Sequence, residues 1–210
     1  MINRIYKLYG RQGAGSLAPQ MLLEEIGVAY ELIWISKAPA DIEVLRRISP
    51  AAKIPALVLP DGTVVSESAA ILIHLTNVHP EADLAPITGG SAHARFLQWM
   101  VFLSANMYEA ALRFFYSERY SAAGAVAAPP IKVQALREWT SHLELVHGAL
   151  SPYLLGEALS AADIYLHMIA SWYPQEHSAL PSFLPKLKQH AELMRRRLST
   201  RKAEKDHSEN

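Results

Sequence analysis

The residues whose types and spacing could do chemistry lie together in Lys53 to Ile71, which reads KIPALVLPDGTVVSESAAI. Pro55 is at the first position of a short apolar strand, where it cannot donate a hydrogen bond to the neighbouring strand. A proline there predicts a kinked entry to the strand, with the Ile54–Pro55 peptide bond either trans or cis. Such an entry leaves the backbone of Ile54 free to pair with a ligand. Glu67 and Ser68 precede an apolar helical run, and helix N-terminal amides bind anions. The stretch suits a peptide-like ligand with a carboxylate, and an ordinary hairpin with an ordinary helix cap is the alternative.

The composition excludes several kinds of site. The chain has no cysteine, which rules out disulfides, zinc thiolates and a thiol nucleophile supplied by the protein. Its nine histidines show neither HExxH nor paired-ligand spacing. We therefore expect no metal site, and any reactive thiol must come from a ligand.

Charge and hydropathy also limit the function. Lys plus Arg and Asp plus Glu number 20 each, so nothing marks a nucleic-acid surface. No apolar run approaches the ~20 residues that cross a membrane, and the first residues show no secretory pattern, so we expect a cytoplasmic protein. The basic run from Arg195 to Lys205 is interrupted by acidic residues and is typical of a helix end and a solvated tail.

The elements that must position these residues begin with a βαβ unit. It consists of a strand over 5–9, a glycine-rich turn over 10–16, a helix over 17–26 and a strand over 30–35. A short helix over 41–48, a hairpin turning at Pro60-Asp61-Gly62 and a helix over 66–78 follow. The pattern predicts an α/β domain over residues 1–80 with both parallel and antiparallel strand pairing.

Beyond a linker over 79–90 the pattern is helical only. Apolar residues recur every three or four positions over 96–115 and again over 133–150. Ser160 and Asp163 form a capping-box sequence that opens an apolar helix over 164–173, and a last amphipathic helix is expected over 181–198. We predict an all-helical second domain over 88–203.

Taken in order, five motifs resemble the glutathione S-transferase family, and the likeness covers nearly the whole chain: KLYG, GAGSLAP, EEIGVAYE, KIPALVLPDGTVVSESAAI and GEALSAADIYL. The resemblance implies a thioredoxin-like N-terminal domain, an all-helical C-terminal domain and a homodimer with sites at the domain cleft. It further implies glutathione as co-substrate, a small apolar electrophile as the second substrate, and no metal.

The resemblance also assigns the residues that bind glutathione. Pro55 matches the cis-proline of the family, and Ile54 matches the residue whose backbone pairs with the cysteinyl unit. Glu67 matches the residue that takes the γ-glutamyl ammonium. Ser68, with its amide, matches the one that takes the γ-glutamyl carboxylate.

Two further groups follow from the same resemblance. Lys37 and Lys53 are partners for the glycyl carboxylate. Tyr108 falls where bacterial relatives place a side chain facing the electrophile, and Phe115 and Trp172 wall that pocket. Simple core packing is the alternative for these three aromatic residues.

The glycine-rich turn departs from the pattern of the family. GAGSLAP resembles GACSLSP, with Gly15 where the beta-type enzymes carry cysteine and Ala14 about where other relatives carry serine. Ser16, Tyr9 or backbone amides alone are left to activate the thiol. A non-catalytic glutathione-fold binding or interaction protein is the alternative function. The sequence leaves open the electrophile, and whether the reaction is conjugation, dehalogenation, isomerisation or peroxide reduction.

Overall fold

The computed structural model describes residues 5–174 and 183–208. The chain divides into two compact units, Met1–Ala85 with Met194–Asn210, and Pro86–Leu193. The first contains a mixed sheet with flanking helices and the second is helical, which confirms the predicted fold class. The boundaries differ from the predicted 1–80 and 88–203, because the end of the chain returns to the first unit.

The first unit contains a four-stranded sheet in the order β2-β1-β3-β4. The strands are β1 Tyr6–Gly10, β2 Tyr30–Trp34, β3 Ala56–Val58 and β4 Val64–Ser66. β1 is parallel to β2 and antiparallel to β3, which is in turn antiparallel to β4. Helix α1, Leu17–Ile26, makes the parallel crossover and ends at Gly27, whose φ of 79° favours glycine. The predicted βαβ unit and hairpin are confirmed.

Helices cover both faces of this sheet. Helix α2, Pro39–Ile48, packs over the face that carries Tyr9, since Leu45 forms a buried cluster with Ile35 and Ala56 against which Tyr9 lies. Side chains alternate along a strand, so the neighbouring Leu8 points to the opposite face. That face belongs to α1 and to α3, Ser68–Val78, which contact each other and bury most of their apolar residues.

The basic C-terminal run begins at Arg195 and Arg196 in the last turn of a helix, as predicted, but it continues into a further helix that packs on α1, so the predicted solvated tail is wrong. Helix α9, Leu198–Ser208, lies against α1 within the first unit. Arg197 Nε donates to Glu25 Oε2 at 3.0 Å, and Lys202 pairs with Glu24. The acidic end of α1 thus provides partners for two of the basic residues.

The second unit consists of helices joined by short turns. Helix α4, Ser91–Phe102, continues through a π-helical turn, Leu103–Tyr108, into α5, Glu109–Phe115, as the long helix predicted over 96–115. Short 3-10 turns lie at Pro80–Ala82 in the first unit and at Ser117–Tyr120 and Gly124–Val126 in the second. The remaining helices are α6 Ala128–Ala149, α7 Ala161–Ser171 and α8 Pro185–Arg196. The predicted start of the last helix at Pro181 lies outside the described residues. None of the described helices is both long and apolar enough to span a bilayer.

The capping box at the start of α7 is present as predicted. Asp163 is fully buried and accepts the Ser160 N–H at 2.9 Å and the Ser160 hydroxyl at 2.7 Å. It also accepts the Leu154 N–H at 2.8 Å, and His190 Nε2 lies 3.3 Å from its second oxygen. Asp163 therefore joins three segments of the helical unit as well as capping its own helix.

Candidate functional site

The glycine-rich turn is held by the side chain of Ser16. The hydroxyl is buried, accepts the Arg11 N–H at 3.1 Å and donates its proton to Arg11 O at 3.1 Å. It makes no capping bond to α1, although Ser16 occupies the N-cap position. A Cβ at Gly10 would lie 2.8 Å from Ser16 Oγ, so glycine is required there.

The start of α3 is hydrogen-bonded to this turn. Ser68 Oγ donates to Gly15 O at 3.1 Å, and both residues are buried. Gly15 lies two residues before α1, and Ser68 is the first residue of α3. The bond therefore brings the N-termini of two helices side by side. Unpaired amides and helix dipoles at such ends favour a bound anion.

Glu67 lies beside this junction in an uncommon backbone conformation. Its φ of 70° and ψ of 120° are outside the regions that non-glycine residues favour, and such a residue costs about 1–3 kcal/mol. The side chain is exposed, and its carboxylate has no hydrogen-bond or ion-pair partner among residues 5–174 and 183–208. Strain of this kind concentrates where a side chain must be presented to a ligand.

The segment before β3 faces the same junction. The Ile54–Pro55 peptide bond is cis, in agreement with the sequence. Within the described part of the chain, no hydrogen bond to the backbone of Ile54 is found. Ala56 pairs with Ser66 in an antiparallel register, and two further steps of that register place Ile54 opposite Ser68. The backbone of Ile54 is thus available next to the start of α3.

Three cationic residues of the first unit concern the predicted ligand site: Lys37, Lys53 and Arg11. Lys37 and Lys53 are exposed, and neither ammonium has a partner in the described ranges. Arg11 was not predicted from the sequence; its guanidinium donates to Ile35 O at 3.0 Å and to Ser36 O at 2.9 Å, beside Lys37. The only sequence signal was an arginine directly after β1. The described residues contain no group of three or more His, Asp or Glu side chains placed to hold a metal.

Tyr9, the other predicted activator, is half-buried in β1. It packs against the cluster of Ile35, Leu45 and Ala56 beneath α2. Both Tyr9 and Ser16 therefore have visible structural roles, and the hydroxyl proton of Ser16 is already donated to a main-chain carbonyl. Their catalytic roles remain predictions.

The predicted pocket residues of the second unit fall into two ring groups. Tyr108 and Trp172 are half-buried and pack edge to face with ring centroids 5.3 Å apart. Phe115 is 50% exposed and packs on Trp139 at 6.1 Å. Tyr108 lies in the π-helical turn, a feature that often marks functional positions. The structure thus brings Tyr108 and Trp172 together and places Phe115 with Trp139.

Comparisons with known proteins agree with these features. Residues 16–78 match the sequence profile described as glutathione S-transferase, N-terminal domain. The chain is 29% identical to the uncharacterized GST-like protein YncG of Escherichia coli K12, over 80% of this chain and 82% of that protein. It is 24% identical to the glutathione S-transferase GstA of Escherichia coli O157:H7, over 79% and 81%.

The structure resembles a solved glutathione transferase homolog from Sulfitobacter with bound glutathione. The TM-score is 0.87 at 25% identity, and the match covers 97% of this chain and 98% of that one. The sequence profile begins at Ser16, the last residue of the turn, and includes the cis-proline and the start of α3, and the structural match covers both units. The sequence profile, the two named relatives and the structural match together support a member of the glutathione S-transferase family.

Proposed function

We propose that this protein is a glutathione transferase that activates the glutathione thiol for attack on a small hydrophobic electrophile. The observation that carries the proposal is the hydrogen bond from Ser68 to Gly15, which joins the two sequence segments expected to hold glutathione. Glu67 directly precedes Ser68, and α1 starts two residues after Gly15. Ile54 lies opposite Ser68 when the β3–β4 register is extended by two residues. Glutathione binding is reported for the Sulfitobacter relative and is inferred here for this chain.

The γ-glutamyl end of glutathione is proposed to bind at the start of α3. The unpaired carboxylate of Glu67 takes the ammonium. The hydroxyl of Ser68 has one proton and donates it to Gly15 O, so the ligand carboxylate is met by the Ser68 amide. The hydroxyl then fixes the position of that amide and makes no direct contact with the ligand.

The remaining parts of glutathione are assigned to the backbone and to the lysines. The free N–H and C=O of Ile54 pair with the cysteinyl unit as a strand would. Lys37 and Lys53 provide cations for the glycyl carboxylate, since both are exposed and neither has a protein partner in the described ranges.

The thiol is proposed to be activated by the backbone at the start of α1. The amides of Gly15 and Ser16 have no backbone hydrogen-bond partner among the described residues. Free amides and the positive end of a helix favour a thiolate over a thiol. Side-chain activation by Ser16 or Tyr9 is the alternative, and it requires each hydroxyl to leave the contacts described above.

The second substrate is proposed to bind to the aromatic residues of the helical unit. Tyr108 and Trp172 give an apolar, half-buried edge, with Phe115 as a further exposed ring. Holding an electrophile near a thiolate supplies much of the rate enhancement by proximity. The proposal includes a homodimer, which the family resemblance implies, and a location in the cytoplasm.

A non-catalytic glutathione-binding protein is the second candidate function. It is favoured by Gly15 at the position where beta-type enzymes carry cysteine and by the engaged hydroxyl of Ser16. Two assays separate the candidates: calorimetric titration with glutathione, and conjugation of glutathione to chlorodinitrobenzene followed by absorbance. A transferase shows both binding and turnover above the uncatalysed rate. Binding without turnover of this or other electrophiles selects the second candidate, and absence of binding contradicts both.

A further inference from the structure

The loop that carries Lys37 is fastened to the glycine-rich turn by the side chain of Arg11. Arg11 Nε donates to Ile35 O at 3.0 Å, and Arg11 Nη2 donates to Ser36 O at 2.9 Å. The Ile35 N–H donates in addition to Gly10 O at 2.8 Å. A guanidinium presents its donors in one rigid plane, so two bonds fix the orientation of the loop as well as its distance.

The main chain of Arg11 is itself fixed. Ser16 Oγ accepts the Arg11 N–H and donates to Arg11 O, each at 3.1 Å, and Ser16 is buried. The guanidinium therefore extends from an anchored backbone. A continuous set of contacts runs from Ser16 at the start of α1, through Arg11, to Ser36 next to Lys37.

The far side of the loop is anchored as well. Asp41 Oδ2 accepts the Ser36 N–H at 2.9 Å, and Ser36 Oγ accepts the Ala38 N–H at 3.0 Å. Hydrogen bonding from Ser36, together with the charge of Arg11, lowers the pKa of Asp41 below its usual value. Lys37 thus lies between two residues whose polar groups are engaged, while its own ammonium is exposed and has no partner in the described ranges.

We propose that Arg11 is a positioning residue for ligand selectivity, which holds the loop so that Lys37 meets the glycyl carboxylate of glutathione. This inference rests on the glutathione binding proposed above. Two of the five N–H donors of Arg11, one on Nε and one on Nη2, are used by Ile35 O and Ser36 O, and the proposal assigns this side chain to holding the loop and not to contacting the ligand. Arg11 therefore affects only the part of the glutathione affinity that comes from the glycyl residue. It increases the preference of the protein for glutathione over γ-glutamylcysteine, the dipeptide that lacks the glycyl residue.

The test compares the dissociation constants of glutathione and γ-glutamylcysteine by calorimetry. For the unmodified protein we expect glutathione to bind about tenfold tighter, the usual size of one charge-assisted contact. Arg11→Met should reduce this ratio to about threefold, since Lys53 still provides a cation for the glycyl carboxylate, and change the dipeptide affinity by less than about twofold. Lys37→Met should do the same. Because Arg11 and Lys37 act through the same contact with the glycyl carboxylate, the double variant should lose about as much glutathione affinity as either single variant.

A matched control is Arg46→Met, since Arg46 is an exposed arginine of α2 that pairs only with Glu43 among the described residues. It should leave both ligands unaffected. Equal loss of both ligands in Arg11→Met, or losses that add in the double variant, would overturn the positioning role while leaving glutathione binding intact. Failure of the unmodified protein to bind either ligand would overturn the proposed function as well.

A second variant tests the same role if Arg11→Met does not fold. Asp41→Ala removes the other anchor of the loop and keeps Arg11 and Lys37 in the sequence. It should weaken glutathione selectively over γ-glutamylcysteine, by about threefold or more. An unchanged ratio between the two ligands in Asp41→Ala would contradict the inference.

Discussion

Replacement of Glu67 by glycine should change stability and glutathione affinity in opposite directions. Glu67 has a φ of 70°, where a side chain is strained and glycine is not. Its carboxylate is exposed and has no partner among the described residues, so its removal breaks no described contact. The same carboxylate is the proposed partner of the γ-glutamyl ammonium.

The magnitudes follow from these two facts. Relief of the strain contributes about 1–3 kcal/mol, and the greater freedom of glycine in the unfolded chain takes back about 1 kcal/mol. We expect Glu67→Gly to raise the free energy of unfolding by about 1 kcal/mol. Glutathione affinity should fall by about 2 kcal/mol, roughly 30-fold, because the ligand ammonium loses a charged partner.

The assay compares Glu67→Gly with Glu67→Ala, since both lack the carboxylate and only glycine relieves the strain. Urea unfolding gives the stabilities and calorimetry gives the affinities. Alanine should bind glutathione as weakly as glycine does and be less stable by about 1 kcal/mol. Equal unfolding free energies in the two variants would refute the strain argument. Unchanged affinity in both would refute the proposed contact with glutathione.

Three further predictions concern stability. Ser16→Ala leaves the Arg11 N–H without a partner, while Arg11 O still accepts the Ala14 N–H. The variant should lower the free energy of unfolding by about 2 kcal/mol and leave the thiol pKa of bound glutathione unchanged. Asp163→Ala orphans buried donors from three segments and should cost about 3 kcal/mol by urea unfolding, with little effect on glutathione affinity. Burial lowers the pKa of His207 from 6.5 to about 4, so the neutral form is favoured in the folded protein. Neutral His207 therefore makes its full contribution to the free energy of unfolding above pH 6.5. That contribution is lost as the pH falls from 6.5 towards 4, and the loss is about 2 kcal/mol after allowance for the partial exposure of the side chain.

Each of these predictions has a control. A raised thiol pKa in Ser16→Ala would show that the hydroxyl does act on the ligand. Glu192→Ala on the exposed face of α8 should leave stability unchanged, and an equally small effect of Asp163→Ala would contradict its joining role. His207→Phe keeps the ring contact with Trp34 and should flatten the acid limb, whereas an identical pH profile would contradict the assignment.

Local chemistry in the sequence predicted the parts of the fold that depend on neighbouring residues. Pro60-Asp61-Gly62 placed the hairpin, and Asp61 Oδ1 accepts the Thr63 N–H at 2.8 Å within it. Gly27 ended α1, and the Ser160–Asp163 spacing gave the capping box. These signals are read over a few residues, and tertiary packing leaves them unchanged.

Contacts between residues that are far apart in the chain could not be predicted from these local patterns. A serine directly before a helix can cap that helix or bond to a preceding residue, and the sequence pattern is the same in both cases. The hydroxyl of Ser16 bonds to Arg11. A mixed basic and acidic tail is equally typical of a solvated segment and of α9, which needs Glu24 and Glu25 as partners about 170 residues away. Arg11 becomes interpretable only once the end of β2 is known to lie beside it.

Glutathione is proposed to bind at the junction of the glycine-rich turn and α3 as an activated thiolate, and this is the basis of the proposed function. It is tested most directly by thiolate absorbance of glutathione against pH, measured in the presence of excess protein. The thiol of free glutathione should titrate near an ordinary cysteine, with a pKa of about 8.5. In the complex we expect that pKa to be lower by about one unit or more. Absence of a complex, or a bound thiol that titrates as it does in free glutathione, would contradict the account.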